Sequence, residues 1–193
     1  MRSRANVGPA FLLLLALAGC NRVYVPREGL VTSYENSQQM DARIGLWLSE
    51  EWRNAKWQKE TGSNTATIPL GDTLVVNAED LAKHLFLTVT NVDSEDISER
   101  QDLDAVLIPE MVVIEIAYPV WNFSKSTFSI KVEWTMKDRQ GQIIWAETIT
   151  GEARGYSTTH GEYEESLHKM LESLFKNSYD ALASSVELRR FAG

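Results

Sequence analysis

The chain has 193 residues, of which 44% are hydrophobic, 19 are lysine or arginine and 27 are aspartate or glutamate, giving a net charge of −8. This length and composition are ordinary for one globular domain and exclude a disordered or fibrous protein. The acidic balance argues against a nucleic-acid-binding protein, which needs a basic surface. The single cysteine excludes intramolecular disulfides and zinc sites built from several cysteines.

The N-terminal residues have the pattern of an export signal. Arg2 and Arg4 precede an apolar run from Ala10 to Ala18. This run is about half as long as the roughly 20 residues that a bilayer-spanning helix needs. We therefore predict a signal peptide over residues 1–19 that is removed from the mature protein.

Leu17-Ala18-Gly19-Cys20 resembles the lipobox of bacterial lipoproteins; an ordinary secretory signal that happens to contain a cysteine is the alternative. The resemblance implies that the mature chain begins at Cys20 with diacylglycerol on its sulfur and a palmitate-type chain on its amino group. Two or more acyl chains anchor a protein stably. The resemblance also implies a sorting rule, by which aspartate directly after the cysteine retains a lipoprotein at the inner membrane. This position is Asn21, which implies the outer membrane.

Cleavage before Cys20 makes the protein more acidic. It removes two arginines and no acidic residue, which leaves 17 basic and 27 acidic side chains and a net charge of −10. Such a body is repelled by anionic surfaces, so the lipid would have to hold it at the membrane.

The mature chain divides into a tether and a domain. We interpret residues 20–41 as the lipidated N-terminus and a flexible tether, and residues 42–193 as a single domain. The alternation over residues 44–48 predicts a short strand. Ser49 is a candidate N-cap for one or two helical turns. Residues 59–67 predict a polar loop.

A clear amphipathic helix follows. Apolar residues recur at three- and four-residue steps from Leu74 to Phe86, and Asp72 precedes them as a candidate N-cap. Residues 87–92 then alternate like a strand, and residues 93–104 predict an acidic, solvated loop.

The second half is rich in strand patterns. Residues 105–116 predict a strand in which Pro109 implies a bulge or an edge position. Residues 128–136 alternate apolar and polar side chains, as a strand with one buried face does. Residues 138–141 predict a turn that leads into a partner strand over residues 142–150.

The register of this hairpin stays open, because Trp134 faces Trp145 or Ala146 depending on a one-residue difference in turn geometry. A long amphipathic helix then begins at a capping box, Thr159 to Glu162, and extends to about Ser185. Together these elements predict an α+β fold: a mainly antiparallel sheet with two longer helices packed on one face.

No motif gives a strong signal for chemistry. The chain has no Gly-x-Ser-x-Gly elbow, phosphate-binding glycine loop or His-Glu-x-x-His motif. His160, Glu162, Glu164 and His168 lie close together, and the last two have a spacing that can bind a metal. A helix dipole also favours acidic residues in the first turn. We predict no enzyme, no cofactor and no metal site; a metal-dependent hydrolase using His160 and His168 is the weakest alternative.

Three tryptophans, Trp47, Trp52 and Trp57, lie within eleven residues. They are a candidate interaction surface, since aromatic residues dominate interfaces. The alternative is that they pack in the core, and the sequence leaves both interpretations open.

Several segments, in this order, carry a family resemblance: the lipobox ending at Cys20, a helix ending near Phe86, a strand opening at Asp104-Ala105-Val106, a hairpin across Asp138-Arg139-Gln140-Gly141, and the sequences Gly151-Glu152-Ala153-Arg154-Gly155 and Leu188-Arg189-Arg190-Phe191. Over residues 70–191 this layout resembles the YajG-like bacterial lipoproteins and, more loosely, periplasmic lipoproteins of the curli-export and penicillin-binding-protein-activator fold type. The resemblance implies an envelope accessory role through protein–protein contact. It carries over no functional residue except Cys20.

We therefore expect a lipoprotein anchored in the bacterial outer membrane and facing the periplasm. It would act as a non-enzymatic accessory or scaffold of an envelope assembly or transport system. Its expected partners are the membrane, through the N-terminal lipid, and a periplasmic or outer-membrane protein; no nucleic acid is expected. A glycan- or lipid-binding envelope module is the alternative, suggested by the surplus of tryptophan.

Overall fold

The computed structural model describes Leu30, Tyr34 and residues 38–61, 64–117, 125–155 and 160–193. The predicted signal peptide, the lipobox with Cys20 and the capping residue Thr159 lie outside the described residues. The elements, in chain order, are β1 (Met40–Trp47), α1 (Glu50–Arg53), β2 (Lys56–Thr61), β3 (Asn64–Pro69), α2 (Gly71–Leu85), β4 (Phe86–Val92), β5 (Ala105–Ala117), β6 (Ser126–Asp138), β7 (Ile143–Gly155), α3 (His160–Ser184) and α4 (Val186–Ala192).

Five strands form the main sheet in the order β4-β1-β5-β6-β7. β5, β6 and β7 pair antiparallel, while β1 pairs parallel with both of its neighbours. α2 packs against β1 and β4, and α3 packs against β6 and β7. The predicted α+β fold, with a mainly antiparallel sheet and two longer helices, is confirmed.

The main core lies between the sheet and these two helices. β6 supplies the predicted alternation, and its five inward side chains are fully buried: Phe128, Ile130, Val132, Trp134 and Met136. A smaller apolar cluster lies apart from this core, where Ile97 and Leu103 of the acidic loop join residues of β4 and β5. The loop after β4 is therefore part of the packed structure, because two of its apolar residues are buried.

The polar loop predicted over residues 59–67 is wrong, because this region forms the antiparallel pair β2–β3. The two ends of the β2–β3 pair are held together where the pair joins the rest of the domain. There the Ala55 carbonyl accepts hydrogen bonds from the backbone N–H groups of Leu70 and Gly71, at 2.8 and 3.0 Å. The prediction failed because the residues of this pair are mostly polar and show no apolar alternation, while the pairing itself is made by the backbone.

The start of α2 also differs from the prediction. Its N-cap is Leu70, with no side-chain cap, and Asp72 lies inside the first turn. The carbonyl of Ala55 binds N–H groups at this helix end, so the usual side-chain cap is replaced by a backbone acceptor. The predicted cap at Ser49 is confirmed, since its side chain accepts from the N–H of Trp52.

The long strands β5, β6 and β7 settle two points that the sequence left open, the place of Pro109 and the register of the hairpin. The pairing of β1 with β5 ends at Leu107, so Pro109 lies beyond the β1 contact and pairs with Trp134 of β6 on its other side, which confirms an edge position. In the hairpin, both predicted registers are wrong. Trp134 lies opposite Glu147, and Trp145 lies opposite Met136, because the register shifts next to the turn.

The C-terminal helical region is divided. α3 ends at Ser184, and Ser185 caps the separate helix α4 by accepting from the N–H of Leu188 at 3.2 Å. Within the residues that the structure describes, no helix combines the length and apolar character needed to cross a membrane.

Candidate interaction surface and N-terminal contacts

Trp52 is a core residue and cannot belong to an interaction surface. Only 1% of it is exposed, and its ring meets that of Trp134 edge-on with the centroids 6.2 Å apart. The Ser49 cap fixes α1 so that Trp52 is directed inward. This part of the predicted surface is therefore wrong: four residues of helix cover the core with their one large aromatic side chain.

Trp47 and Trp57 are half-buried and lie in different places. Trp47 packs against the small cluster beneath the acidic loop. Trp57, on β2, packs against the main core. The three tryptophans therefore do not form one continuous aromatic surface. Although they are close in sequence, one lies on β1, one on α1 and one on the separate β2–β3 sheet.

Leu30 lies in the domain rather than in a free tether. It is 2% exposed, and its backbone N–H donates to Oδ1 of Asn77 in α2 at 3.0 Å. Asn77 is itself 1% exposed, and its Nδ2 donates to the carbonyl of Thr73 at 2.8 Å. Leu30 thus contacts the domain although it falls within the flexible tether predicted over residues 20–41; the bounds of that tether stay a prediction.

Tyr34 makes a second contact with the helices. Its ring centroid lies 4.7 Å from that of His84 in α2 and 4.6 Å from that of Tyr179 in α3. Burial, followed by the charge of Asp80 and by Tyr179, raises the pKa of the Tyr34 hydroxyl well above its ordinary value. Closer to β1, Nε2 of Gln39 donates to the carbonyl of Lys83 at 2.7 Å. We call Leu30, Tyr34 and Gln39 the strap residues.

Arg43 and Asp104 join β1 to the end of the acidic loop. The Arg43 guanidinium contacts the Asp104 carboxylate at 2.6 and 3.1 Å, and the Arg43 backbone N–H donates to the same carboxylate at 3.0 Å. These bonds hold the pKa of Asp104 below its usual range. Both side chains serve the packing of the loop, and their pairing explains the lowered pKa without a catalytic role.

The residues considered for metal binding are described only in part. Among the described residues, no group of three or more histidine, cysteine and acidic side chains is placed to hold a metal ion. The side chains of His160 and Glu162 lie outside the described part of the chain. Nδ1 of His168 is buried, and no hydrogen-bond partner is found for it among the described residues.

β4 has an exposed edge that the sequence analysis did not single out. It is the outer strand of the main sheet, and its seven residues carry no charge. Leu87 is 63% exposed. Uncharged edge strands with β-branched residues are the ones that other chains can pair with. The alternation over 87–92 predicted a strand, but edge status depends on topology and was not readable from this segment.

A cavity of about 440 Å³ opens where β1 begins, and its lining includes Gln38, Asp41, Leu85 and Arg189. The lining is mixed, whereas sites for apolar ligands are mostly apolar. Trp47, Trp52 and Trp57 do not line it. This cavity therefore does not support the glycan- or lipid-binding alternative through the tryptophans, and that alternative stays a prediction.

No family model matches the chain, and no curated protein matches it. A DUF330 protein from Xanthomonas campestris superposes with a TM-score of 0.55 at 11% identity, covering 84% of this chain and 92% of that chain. A minor lipoprotein from Acinetobacter baumannii gives 0.45 at 13% identity, covering 79% and 96%. The PelC dodecamer from Paraburkholderia phytofirmans gives 0.45 at 14% identity, covering 80% and 91%.

Of these three, the Xanthomonas protein superposes well enough to show a shared fold, and at 11% identity the similarity shows the fold alone. The YajG-like resemblance is not confirmed and stays a prediction. The chain therefore shares its fold with a DUF330 protein.

Proposed function

We propose that this protein is a lipoprotein of the bacterial outer membrane, facing the periplasm, that acts as a non-enzymatic accessory or scaffold of an envelope assembly or transport system. The single observation that carries the proposal is the sequence Leu17-Ala18-Gly19-Cys20 at the end of an apolar run. The N-terminal lipid would hold an otherwise acidic body at the membrane.

The two ion pairs of the acidic loop are explained by the packing of that loop. Arg43 of β1 binds Asp104 at the end of the acidic loop, and Arg100 binds Asp102 within that loop. The scaffold proposal needs only an anchored domain with exposed surfaces.

Lipidation is tested with Cys20→Ser in the full-length chain. The wild-type protein should fractionate with membranes and carry acyl chains on its N-terminal peptide, as measured by mass spectrometry. The variant should lose both properties, because the sulfur is the acceptor of the lipid. A wild-type protein found in the soluble fraction with an unmodified cysteine contradicts the anchor.

Membrane identity is a separate measurement. Density-gradient separation of the two membranes should place the wild-type protein with the outer membrane. Asn21→Asp should shift it to the inner membrane if the sorting rule implied by the lipoprotein resemblance applies. Wild-type protein in the inner-membrane fraction overturns the assigned location and leaves the lipid anchor intact.

The scaffold role is tested by photocrosslinking in intact cells. A photoreactive residue at Leu87, which is 63% exposed on β4, is compared with one at Val186, which is 61% exposed on α4. Trp57 is replaced in the same way, because it stays a proposed contact residue together with Trp47. We expect one specific protein adduct from at least one of these positions. Absence of any adduct across these positions contradicts a scaffold.

A further inference from the structure

On the N-terminal side of β1, the strap residues contact α2 and α3. Leu30 contacts Asn77, Tyr34 contacts His84 and Tyr179, and Gln39 contacts the carbonyl of Lys83. The contacts on α2 advance from residue 77 to its last turn. The chain is thus attached at three successive points before β1 begins.

The contact at Asn77 is specific in its chemistry. Its amide oxygen accepts the backbone N–H of Leu30 and its amide nitrogen donates to Thr73, and these groups are buried. A buried side-chain amide is costly unless both of its ends are bonded. Release of Leu30 would remove the N–H that donates to the Asn77 oxygen, so the strap is favoured in its docked position.

The strap changes how far the domain can move from its anchor. An extended chain spans at most about 3.3–3.6 Å per residue. Ten residues separate Cys20 from Leu30, which limits that distance to about 36 Å. Twenty residues separate Cys20 from Met40, and without the strap contacts the limit would be about 72 Å.

We propose that docking of Leu30, Tyr34 and Gln39 on α2 and α3 is a standoff device, which keeps the helical layer around Asn77 within about 36 Å of the membrane. This proposal rests on the lipid anchor proposed above. The strap then has a function besides stability. It halves the largest distance between the domain and its anchor, and so restricts how far from the membrane the domain can bind a partner.

Docking is measured first, in a form that does not depend on lipid. Hydrogen exchange of the Leu30 amide is followed in the full-length Cys20→Ser chain. The amide should be protected, and Tyr34→Ala should accelerate its exchange about tenfold or more, because two aromatic contacts are lost. Tyr34→Phe is the matched control, which keeps the ring and should leave the rate unchanged or slower.

Local release is distinguished from unfolding in the same experiment. Amides of Ile130 in β6 should exchange equally in all variants, because they belong to the buried centre of the sheet. Leu30→Ala supplies a second variant that weakens the strap through a different contact. An unprotected Leu30 amide in the parent chain, or equal acceleration at Ile130, overturns the strap.

Standoff is measured with the lipidated protein in vesicles of phosphatidylethanolamine and phosphatidylglycerol. Cys20 is the only cysteine and its sulfur would be acylated, so Asp72→Cys introduces one free thiol on α2 for a donor dye. Energy transfer to headgroup acceptors should be strong in the parent and in Tyr34→Phe and should fall in Tyr34→Ala. Equal transfer in Tyr34→Ala overturns the standoff. Absence of the lipid overturns the anchor and the distance limit together, while the exchange result still reports docking.

Discussion

Trp52 shows how one residue can be decisive in a short helix. It stands three residues after the Ser49 cap, and the cap binds its N–H. The four-residue helix α1 is too short to be stable by propensity alone. Its stability must come from packing, and its fully buried residue is Trp52.

Replacement of Trp52 by alanine is therefore predicted to lower the free energy of unfolding by about 3–5 kcal/mol, the range for large aromatic truncations in cores. Trp57→Ala, at a half-buried position on β2, should lower it by about 1–2 kcal/mol. Urea denaturation followed by circular dichroism measures both. Equal losses of unfolding free energy in the two variants would contradict the prediction that the more deeply buried tryptophan contributes more.

Tyr34 provides a prediction on pH. Because burial raises its pKa in the folded state, its contribution to strap docking is fully present below about pH 10, its ordinary pKa. The contribution falls as the pH rises above that value, since the undocked phenol ionises first. Asp80 and His84 on α2 and Tyr179 on α3 are the titratable groups in its surroundings.

The measurement is a tyrosinate absorbance titration of the wild-type chain and of Tyr34→Phe. The difference curve, which isolates one phenol, should have its midpoint clearly above 10. A midpoint at or below the ordinary value would mean that Tyr34 is solvated and that the strap is not docked in solution.

At the scale of elements, the packing of α3 on the sheet depends on Gly151 in β7. A Cβ atom placed there would lie 2.5 Å from the carbonyl oxygen of Met170 and 2.7 Å from the N of Leu174. Both atoms belong to the backbone of α3, which cannot move away as a side-chain end can. The helix therefore approaches the strand as closely as glycine allows.

We predict that Gly151→Ala lowers the free energy of unfolding by about 1–3 kcal/mol, as overpacking does. The matched control is Gly45→Ala in β1, where the new Cβ would meet only the side chains of Leu103 and Val92 at 3.2 Å or more. Thermal unfolding of both variants compares them. A larger loss of unfolding free energy for Gly45→Ala would contradict the prediction, because it would show that the contact beneath the acidic loop is the tighter one.

The elements differ in how well the sequence predicts them. β6 and α2 have strong periods, because one face of each is buried, and their positions follow from hydrophobic pattern. β2 and β3 lack such a pattern because they pair with each other outside the main sheet. The hairpin register was not predictable, since the shift beside Lys137 depends on local backbone geometry that leaves no residue-type signal.

The same reasoning applies to the candidate site. Cys20 stands out because its flanking residues form a sequential motif, whereas the contacts of Leu30 and Tyr34 join residues more than forty positions apart. Long-range contacts of this kind have no periodic signature. The failure of the tryptophan surface has a related cause: neighbours in sequence were separated by a change of element at Ser49 and again at Asn54.

At the scale of the whole molecule, the net charge opposes attachment to an anionic membrane. Residues 20–193 carry a net charge of −10. An anionic surface repels such a body, so in the lipoprotein proposed above the acyl chains would have to supply the attraction.

We therefore predict that a chain beginning at residue 20 with Cys20→Ser does not bind vesicles, whether they are neutral or rich in phosphatidylglycerol. Flotation of the protein with vesicles measures this, and the lipidated chain is the positive control. Binding that grows with the phosphatidylglycerol fraction would reveal a cationic surface that the net charge conceals, and would contradict an anchor made by lipid alone.

The position of β1 has a consequence for the order in which the protein can fold. β1 is the first strand along the chain, yet it lies inside the sheet, between β4 and β5. Its parallel pairing needs residues up to Val92 on one side and up to Leu107 on the other. If pairing follows synthesis from the N-terminus, β1 gains its β4 neighbour only after Val92 and its β5 neighbour only after Leu107, which lies past the middle of the 193-residue sequence. Since such non-local pairing is slow, β1 leaves its backbone groups unpaired for longer than β6 and β7, which are consecutive along the chain and pair with each other.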